Sequence, residues 1–216
     1  MPQPRVVPAP WSLKGESFIQ LLLNPVEAVR HLLPAAFEPV CVKGKTLGGL
    51  MYVHYTDSPV GPYEELLYLP ARVRYRGRTG YPITHIWVDS PDSVVSGREN
   101  WLIPKRLGRM DFRSEGRVRE ASIEEEGRTL AVMRFECPRF PPPVPSHSVV
   151  FPMPLLQERE GRTVFVPFGG WGFTQPVRGA FVVKDQEALP VPAHSRRFPA
   201  MRLARFRLTF SVAQEL

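Results

Sequence analysis

At 216 residues, with 43% hydrophobic residues that include 13 Phe and 4 Trp, the chain is long enough to bury a sizeable core, and it reads as one domain over residues 1–216. A formal charge of +7 raises the question of nucleic acid. The arginines, however, are dispersed and interleaved with glutamate, as in RVREASIEEEGR, and no zinc-finger spacing, RNP motif or long basic run occurs, so no nucleic-acid partner is expected.

The 25 prolines punctuate many short segments, which argues against long helices and for strands joined by turns. Residues 1–15 read as extended, and they carry no charged stretch followed by an apolar core and cleavage site. The apolar run Ile19–Leu23 is too short to span a membrane, so a cytoplasmic protein without membrane contact is expected. Cys41 and Cys137 lie far apart with no paired motif, consistent with free thiols in that compartment. Asn24-Pro25-Val26-Glu27 has the composition of a helix start, with Asn24 as cap and Glu27 completing a capping box. That helix should run through AVRHLL and stop before Pro34.

The period then changes. TLGGLMYVHYT, EELLYLPARVRY and YPITHIWVDS alternate as strands do. Ser90 caps a second helix, SPDSVVSGRENW, in which Gly97 weakens the helix and signals a close approach. GRMDFRSEG, RVREASIEEE and RTLAVMRFECP form a meander with turns at 115–117 and 126–128. PRFPPPVPSHS (138–148) reads as a rim loop, and Trp171 within FGGWGF as a core residue or part of a flexible rim. RTVFVPF, VRGAFVVKD and ARFRLTFSV complete the strands. The alternate arginines at 72–78 and 196–207 suit a solvated strand face. The expected class is α+β, mainly β: a curved or closed antiparallel barrel or cone with two or three short helices.

Nucleotide loops, dinucleotide fingerprints, GxSxG and HExxH are all absent. The five histidines (31, 54, 85, 147, 194) show no ligand spacing, so no metal site is expected. With only five lysines beside 23 arginines, each lysine position is informative. The informative stretch is Gly97-Arg98-Glu99-Asn100-Trp101-Leu102-Ile103-Pro104-Lys105-Arg106-Leu107-Gly108. An amine attacks a carbonyl only when unprotonated, and Trp101, Leu102, Ile103 and Leu107 would supply Lys105 with apolar surroundings that disfavour the charged form. Pro104 biases the chain towards an extended path, which would turn Lys105 and Arg106 to opposite sides.

This stretch resembles the GRE-x4-PK-x-LG signature of acetoacetate decarboxylases and their relatives. SPVGPYEELL (58–67), PWSLKG (10–15) and LLPAAFEP (32–39) are also similar to segments of that family. The resemblance is specific over residues 10–112. It implies a single barrel or cone with an apolar pocket, assembled as a homo-oligomer, and a lyase that needs no cofactor. Lys105 would form a Schiff base with a small keto acid, leading to decarboxylation or related carbon–carbon chemistry. Glu65 is the matching acid, and Tyr63, Arg98, Glu99 and Arg106 are candidate substrate-binding residues. For Arg98 and Glu99, an ion pair or helix-end anchor is the plainer reading. The family's carboxylate-associated arginine falls closest to Gly15, and a second glutamate falls at Leu50, so acetoacetate is expected to be a poor substrate. A non-catalytic small-molecule binding protein on the same barrel is the alternative.

Overall fold

A computed structural model describes residues 3–147 and 153–216. Its main sheet has ten strands, eight of them on one continuous path. In chain order these eight are β1 (Trp11–Pro25), β2 (Lys45–Asp57), β3 (Tyr63–Leu69), β4 (His85–Val88), β5 (Lys105–Leu107), β6 (Val144–His147), β7 (Phe168–Pro176) and β8 (Met201–Phe210). The spatial order is β6-β7-β8-β1-β2-β3-β4-β5. All neighbours are antiparallel except β4 and β5, which run parallel.

The class is mainly β, as expected, but the sheet is open. Among the described residues, β6 and β5 lie at opposite ends of the path and do not pair. Both are short, at four and three residues, and offer too little ladder to close a barrel of long strands. β5 packs instead against the helix α2 (Pro91–Trp101).

The period-2 alternation of strand side chains divides the core between the two faces of this sheet. From β2, Val53 and Tyr55 point to one face, while Leu50 and Tyr52 point to the other. From β3, Leu67 and Leu69 oppose Leu66 and Tyr68 in the same way. The second face carries a four-stranded antiparallel sheet built from Arg109–Glu115, Val118–Glu125, Arg128–Glu136 and Arg178–Val183. Phe18 stacks on Phe135, and Phe135 meets Phe181 edge-on, both at 5.2 Å between ring centroids. Each such fully buried side chain contributes roughly 1.5–3 kcal/mol. The first face is covered by α2 and the hairpin Leu155–Arg159/Arg162–Val166, and it encloses a cavity.

Three local readings change. The first helix is a single turn, α1 (Val26–Val29), continued by a 3-10 turn at Arg30–Leu32. Asn24 does not cap it, because β1 continues to Pro25 and Asn24 is used elsewhere. Its amide donates to Pro70 O at 2.7 Å and accepts from Ser195 Oγ at 2.5 Å. The expected rim loop contains β6, which pairs with β7; residue 148 lies outside the described residues. FGGWGF belongs to β7, where glycine is needed for close packing: a Cβ on Gly170 would lie 2.2 Å from Arg207 O. By contrast, Ser90 caps α2 as read, its hydroxyl accepting from Ser93 N. The turns at Gly116 and Gly127 take positive φ.

Asn24 ties the end of β1 to two distant segments. Asn24→Ala should cost roughly 1–3 kcal/mol, because it leaves a buried carbonyl and a hydroxyl unpaired. Urea denaturation of the variant beside the unaltered chain measures this loss.

Candidate functional site

The cavity on the first face has a volume of about 190 Å³. Its walls come from β1, β2, β3, β4, β6, β7 and β8, and Lys105 of β5 and Glu65 of β3 are among its lining residues. Register explains how these two meet. β3 pairs with β4 through Glu65↔Val88 and Leu67↔Ile86, and β4 pairs with β5 through Ile86↔Lys105. The two side chains therefore emerge on the same face, two strands apart.

Lys105 Nζ donates to Glu65 Oε2 at 2.7 Å and to Ser93 Oγ at 2.9 Å, and it lies 5.3 Å from the centre of the Tyr63 ring. Both side chains of the pair are only 5% exposed. Tyr55 Oη donates to Glu65 Oε1 at 3.2 Å. Burial first, and then the Glu65 charge, push both the Tyr55 and Tyr63 phenols well above their ordinary value. They therefore remain neutral, and Tyr55 is the one that donates to Glu65. Ser93 and Tyr55 were not legible as site residues. Ser93 belongs to the first turn of α2, twelve positions before Lys105 in the chain, and Tyr55 is one apolar-face residue among many in β2.

The helix and β5 are fitted to one another. A Cβ on Gly97 would sit 2.7 Å from Lys105 Cδ and 2.8 Å from its Cε, so only glycine lets the lysine stem pass beneath the helix. The close approach expected at Gly97 is thus made by this side chain. Arg98 Nε donates to Lys105 O at 2.8 Å, which makes Arg98 the helix-end anchor.

Four further candidates divide. Tyr63 lines the cavity beside Lys105. Arg98 and Glu99 do not line it; Arg98 acts through the backbone as described, and Glu99 is exposed on α2. Arg106 points to the opposite face of β5, where it donates to Glu125 Oε2 at 2.6 Å and lies over the Trp87 ring. The extended path after Pro104 produces this separation, so Arg106 is not among the groups that reach the cavity. Glu64 likewise turns away from Glu65 and pairs with His54. Burial, with Arg106 nearby, lowers His85 to about 4. Neither His54 nor His85 lines the cavity.

The faces of the sheet locate the two positions where the family's charged residues are missing. Leu50 is fully buried in the second core, so it occupies no position in the cavity wall. The cavity-facing residues of β2 are Met51, Val53 and Tyr55. Gly15 has no room for a side chain, since a Cβ there would lie 2.0 Å from His54 O. Its neighbours also look elsewhere: Lys14 pairs with Asp57 at the surface, and Glu16 with Arg119 and Arg202. Arg202 is therefore not on a solvated face as its spacing suggested. Trp171 is 45% exposed, but it sits on β7 as part of the cavity wall. Among the described residues, no cluster of three His, Cys, Asp or Glu side chains could hold a metal ion, and no helix is long and apolar enough to cross a membrane.

The family model described as "Acetoacetate decarboxylase (ADC)" matches residues 1–154. Among solved structures, the chain is similar to the acetoacetate decarboxylase of Legionella pneumophila, with a TM-score of 0.73 and 17% identity, covering 100% of this chain and 92% of that one. It is also similar to an acetoacetate decarboxylase-like enzyme from Sphingomonas wittichii, at a TM-score of 0.71 and 15% identity over 98% of this chain and 94% of that one. The enduracididine biosynthesis enzyme MppR, complexed with pyruvate, gives 0.68 and 17% over 97% and 91%. These likenesses show a shared fold. Among curated proteins, Protein NEOXANTHIN-DEFICIENT 1 of Arabidopsis thaliana is 29% identical over 100 residues, which is 46% of this chain and 36% of the relative. Its counterpart in Solanum lycopersicum is 30% identical over 100 residues, covering 46% and 34%. The matched region thus spans about a third of the length of these two relatives.

The Lys105–Glu65 pair yields a stability test. Glu65→Gln should cost about 3–5 kcal/mol, since it strands a buried ammonium. The double variant Lys105→Met/Glu65→Leu should recover most of that loss, because neither charge then has to be desolvated. A double-mutant cycle by urea denaturation measures both.

Proposed function

From the premise that the chain belongs to the acetoacetate decarboxylase family, we propose that it is a lyase acting on a carbonyl compound through an imine at Lys105, with Glu65 as the proton carrier. The observation that carries this reading is the 2.7 Å contact between the buried Lys105 Nζ and Glu65 Oε2 in the wall of an apolar cavity. A carboxylate at hydrogen-bond distance accepts the proton that the ammonium must lose before it attacks. The free amine adds to the carbonyl carbon, and proton transfer gives a neutral carbinolamine. Glu65 returns its proton to the departing hydroxyl, water leaves, and a protonated imine faces a carboxylate once more.

The protonated imine is an electron sink. The bond between the α- and β-carbons breaks with its electron pair moving towards nitrogen, leaving an enamine and releasing either carbon dioxide or a carbonyl fragment whose hydroxyl proton passes to Glu65. Protonation at carbon and hydrolysis then return Lys105. Neutral Tyr55 and Tyr63 hold the hydrogen-bond pattern around Glu65 throughout.

The second reading is a small-molecule binding protein on the same fold. It is favoured by the fact that the amine is already engaged by both Glu65 and Ser93. The two readings differ in one observable, a reducible adduct.

Borohydride reduction in the presence of a ketone, followed by peptide mass spectrometry, should label Lys105 and none of Lys14, Lys43, Lys45 or Lys184. Gly97→Ala should lower the labelling rate roughly ten- to hundredfold by displacing the lysine stem, with melting temperature little changed. Labelling at another lysine, or at none across a broad panel of ketones and keto acids, supports the binding reading instead.

A further inference from the structure

We propose that the ligand of this cavity is an uncharged ketone or aldehyde carrying an extended apolar chain, rather than a small keto acid. The inference deepens the imine reading and rests on it for the point of attachment.

Strand register carries the argument. Reading straight across the sheet from Lys105, the paired residues are Ile86 on β4, Leu67 on β3, Met51 on β2, Ile19 on β1 and Met201 on β8. Every one of them lines the cavity. Five interstrand steps of about 4.8 Å give a row of roughly 24 Å measured along the sheet. The five side chains beyond the lysine are all apolar, and none offers a hydrogen bond. A compact, charged substrate has no use for such a row. It would leave that apolar surface wet or empty, and an apolar chain is what removes it from water.

The charges agree. Among the described residues, Lys105, Glu65 and Arg202 are the Lys, Arg, Asp and Glu residues in the cavity wall. Lys105 and Glu65 neutralise each other. The Arg202 guanidinium is spent on Glu16, with Nε at 2.7 Å and a terminal nitrogen at 2.5 Å from the same carboxylate oxygen. No free guanidinium fork is left to receive a substrate carboxylate. A second anion beside Glu65 would meet repulsion in a desolvated setting. His147, with Ser146 and Thr174, stands in the wall formed by β6 and β7.

The test uses methyl ketones from acetone to 2-tridecanone, with acetoacetate and pyruvate as the charged arm. In the unaltered chain, borohydride labelling of Lys105 at limiting ketone should rise about fourfold per added methylene, until the row is filled. Acetoacetate and pyruvate should label no better than acetone. Met51→Trp, which blocks the row midway, should lower the ratio of 2-tridecanone to 2-butanone labelling at least tenfold. A second measurement separates this inference from the imine itself. In the double variant Lys105→Met/Glu65→Leu, quenching of Trp11 and Trp101, both in the cavity wall, reports non-covalent binding, and the dissociation constant should still fall about fourfold per methylene. Chain-length dependence in this double variant without any adduct in the unaltered chain supports the ligand class and overturns the imine. A flat response to chain length, or preferential labelling by acetoacetate or pyruvate, overturns the ligand class whether or not Lys105 reacts.

Discussion

The site depends on a buried ion pair. Removing an ammonium and a carboxylate from water costs several kcal/mol per ion even after relaxation, and the attraction between them offsets this only when the geometry is tight and the remaining donors and acceptors are used. Lys105 and Glu65 meet that condition at 2.7 Å, with Ser93 accepting a second proton of the ammonium, Tyr55 donating to the other carboxylate oxygen, and the Tyr63 ring face within cation–π range. The surrounding local structure has to hold these contacts. Ser90 caps α2 and so fixes the first turn that carries Ser93. Gly97 clears the path of the lysine stem. Arg98 ties the end of the helix to the backbone of Lys105 itself.

The pleat of the sheet keeps this pair isolated from other charge. Glu64 and Glu65 are adjacent in sequence but face opposite sides, as do Arg106 and Lys105. On the far side Glu64 pairs with His54 and Arg106 with Glu125, so each extra charge has its own partner outside the cavity. Side-chain alternation thus keeps Glu64 and Arg106 out of the cavity that Lys105 and Glu65 line, although the sequence around both residues is rich in charge.

Much of this was legible from residue order. The Ser90 cap, the strands on either side of it and the Gly-centred turns follow from local chemistry, and the GRE-x4-PK stretch marked Lys105. Opposite faces for Glu64 and Glu65, and for Lys105 and Arg106, follow from extended backbone. The failures lie where tertiary contacts override local signals. Asn24-Pro25 has the form of a helix start, but the asparagine is worth more as a buried donor to Pro70 O, and the strand runs on to Pro25. Gly170 and Gly172 suggest a loose rim, yet they are small because β8 passes close by. A curved or closed sheet was inferred from the number of strands; among the described residues no sheet closes on itself. Leu50 is a matter of parity. A shift of one residue in a strand exchanges one face for the other, and no spacing count along the chain can detect it.

That parity also bears on the chemistry. Before reaction the chamber holds one positive charge on Lys105 nitrogen and one negative charge on Glu65. Imine formation, as proposed, would leave a protonated imine on the same nitrogen and the same carboxylate opposite. The charge pattern entering the proposed bond-breaking step would therefore be the one the folded chain already stabilises, with Tyr55 still donating to Glu65, while the single N–H of the imine can serve Glu65 or Ser93 but not both. Preorganised dipoles of this kind act at low reorganisation cost in a site that excludes water. The same reasoning explains why an apolar wall is compatible with an ionic mechanism. The wall has no role in stabilising charge, because the pair does that internally. Its residues are free to be selected for the shape and length of what they cover.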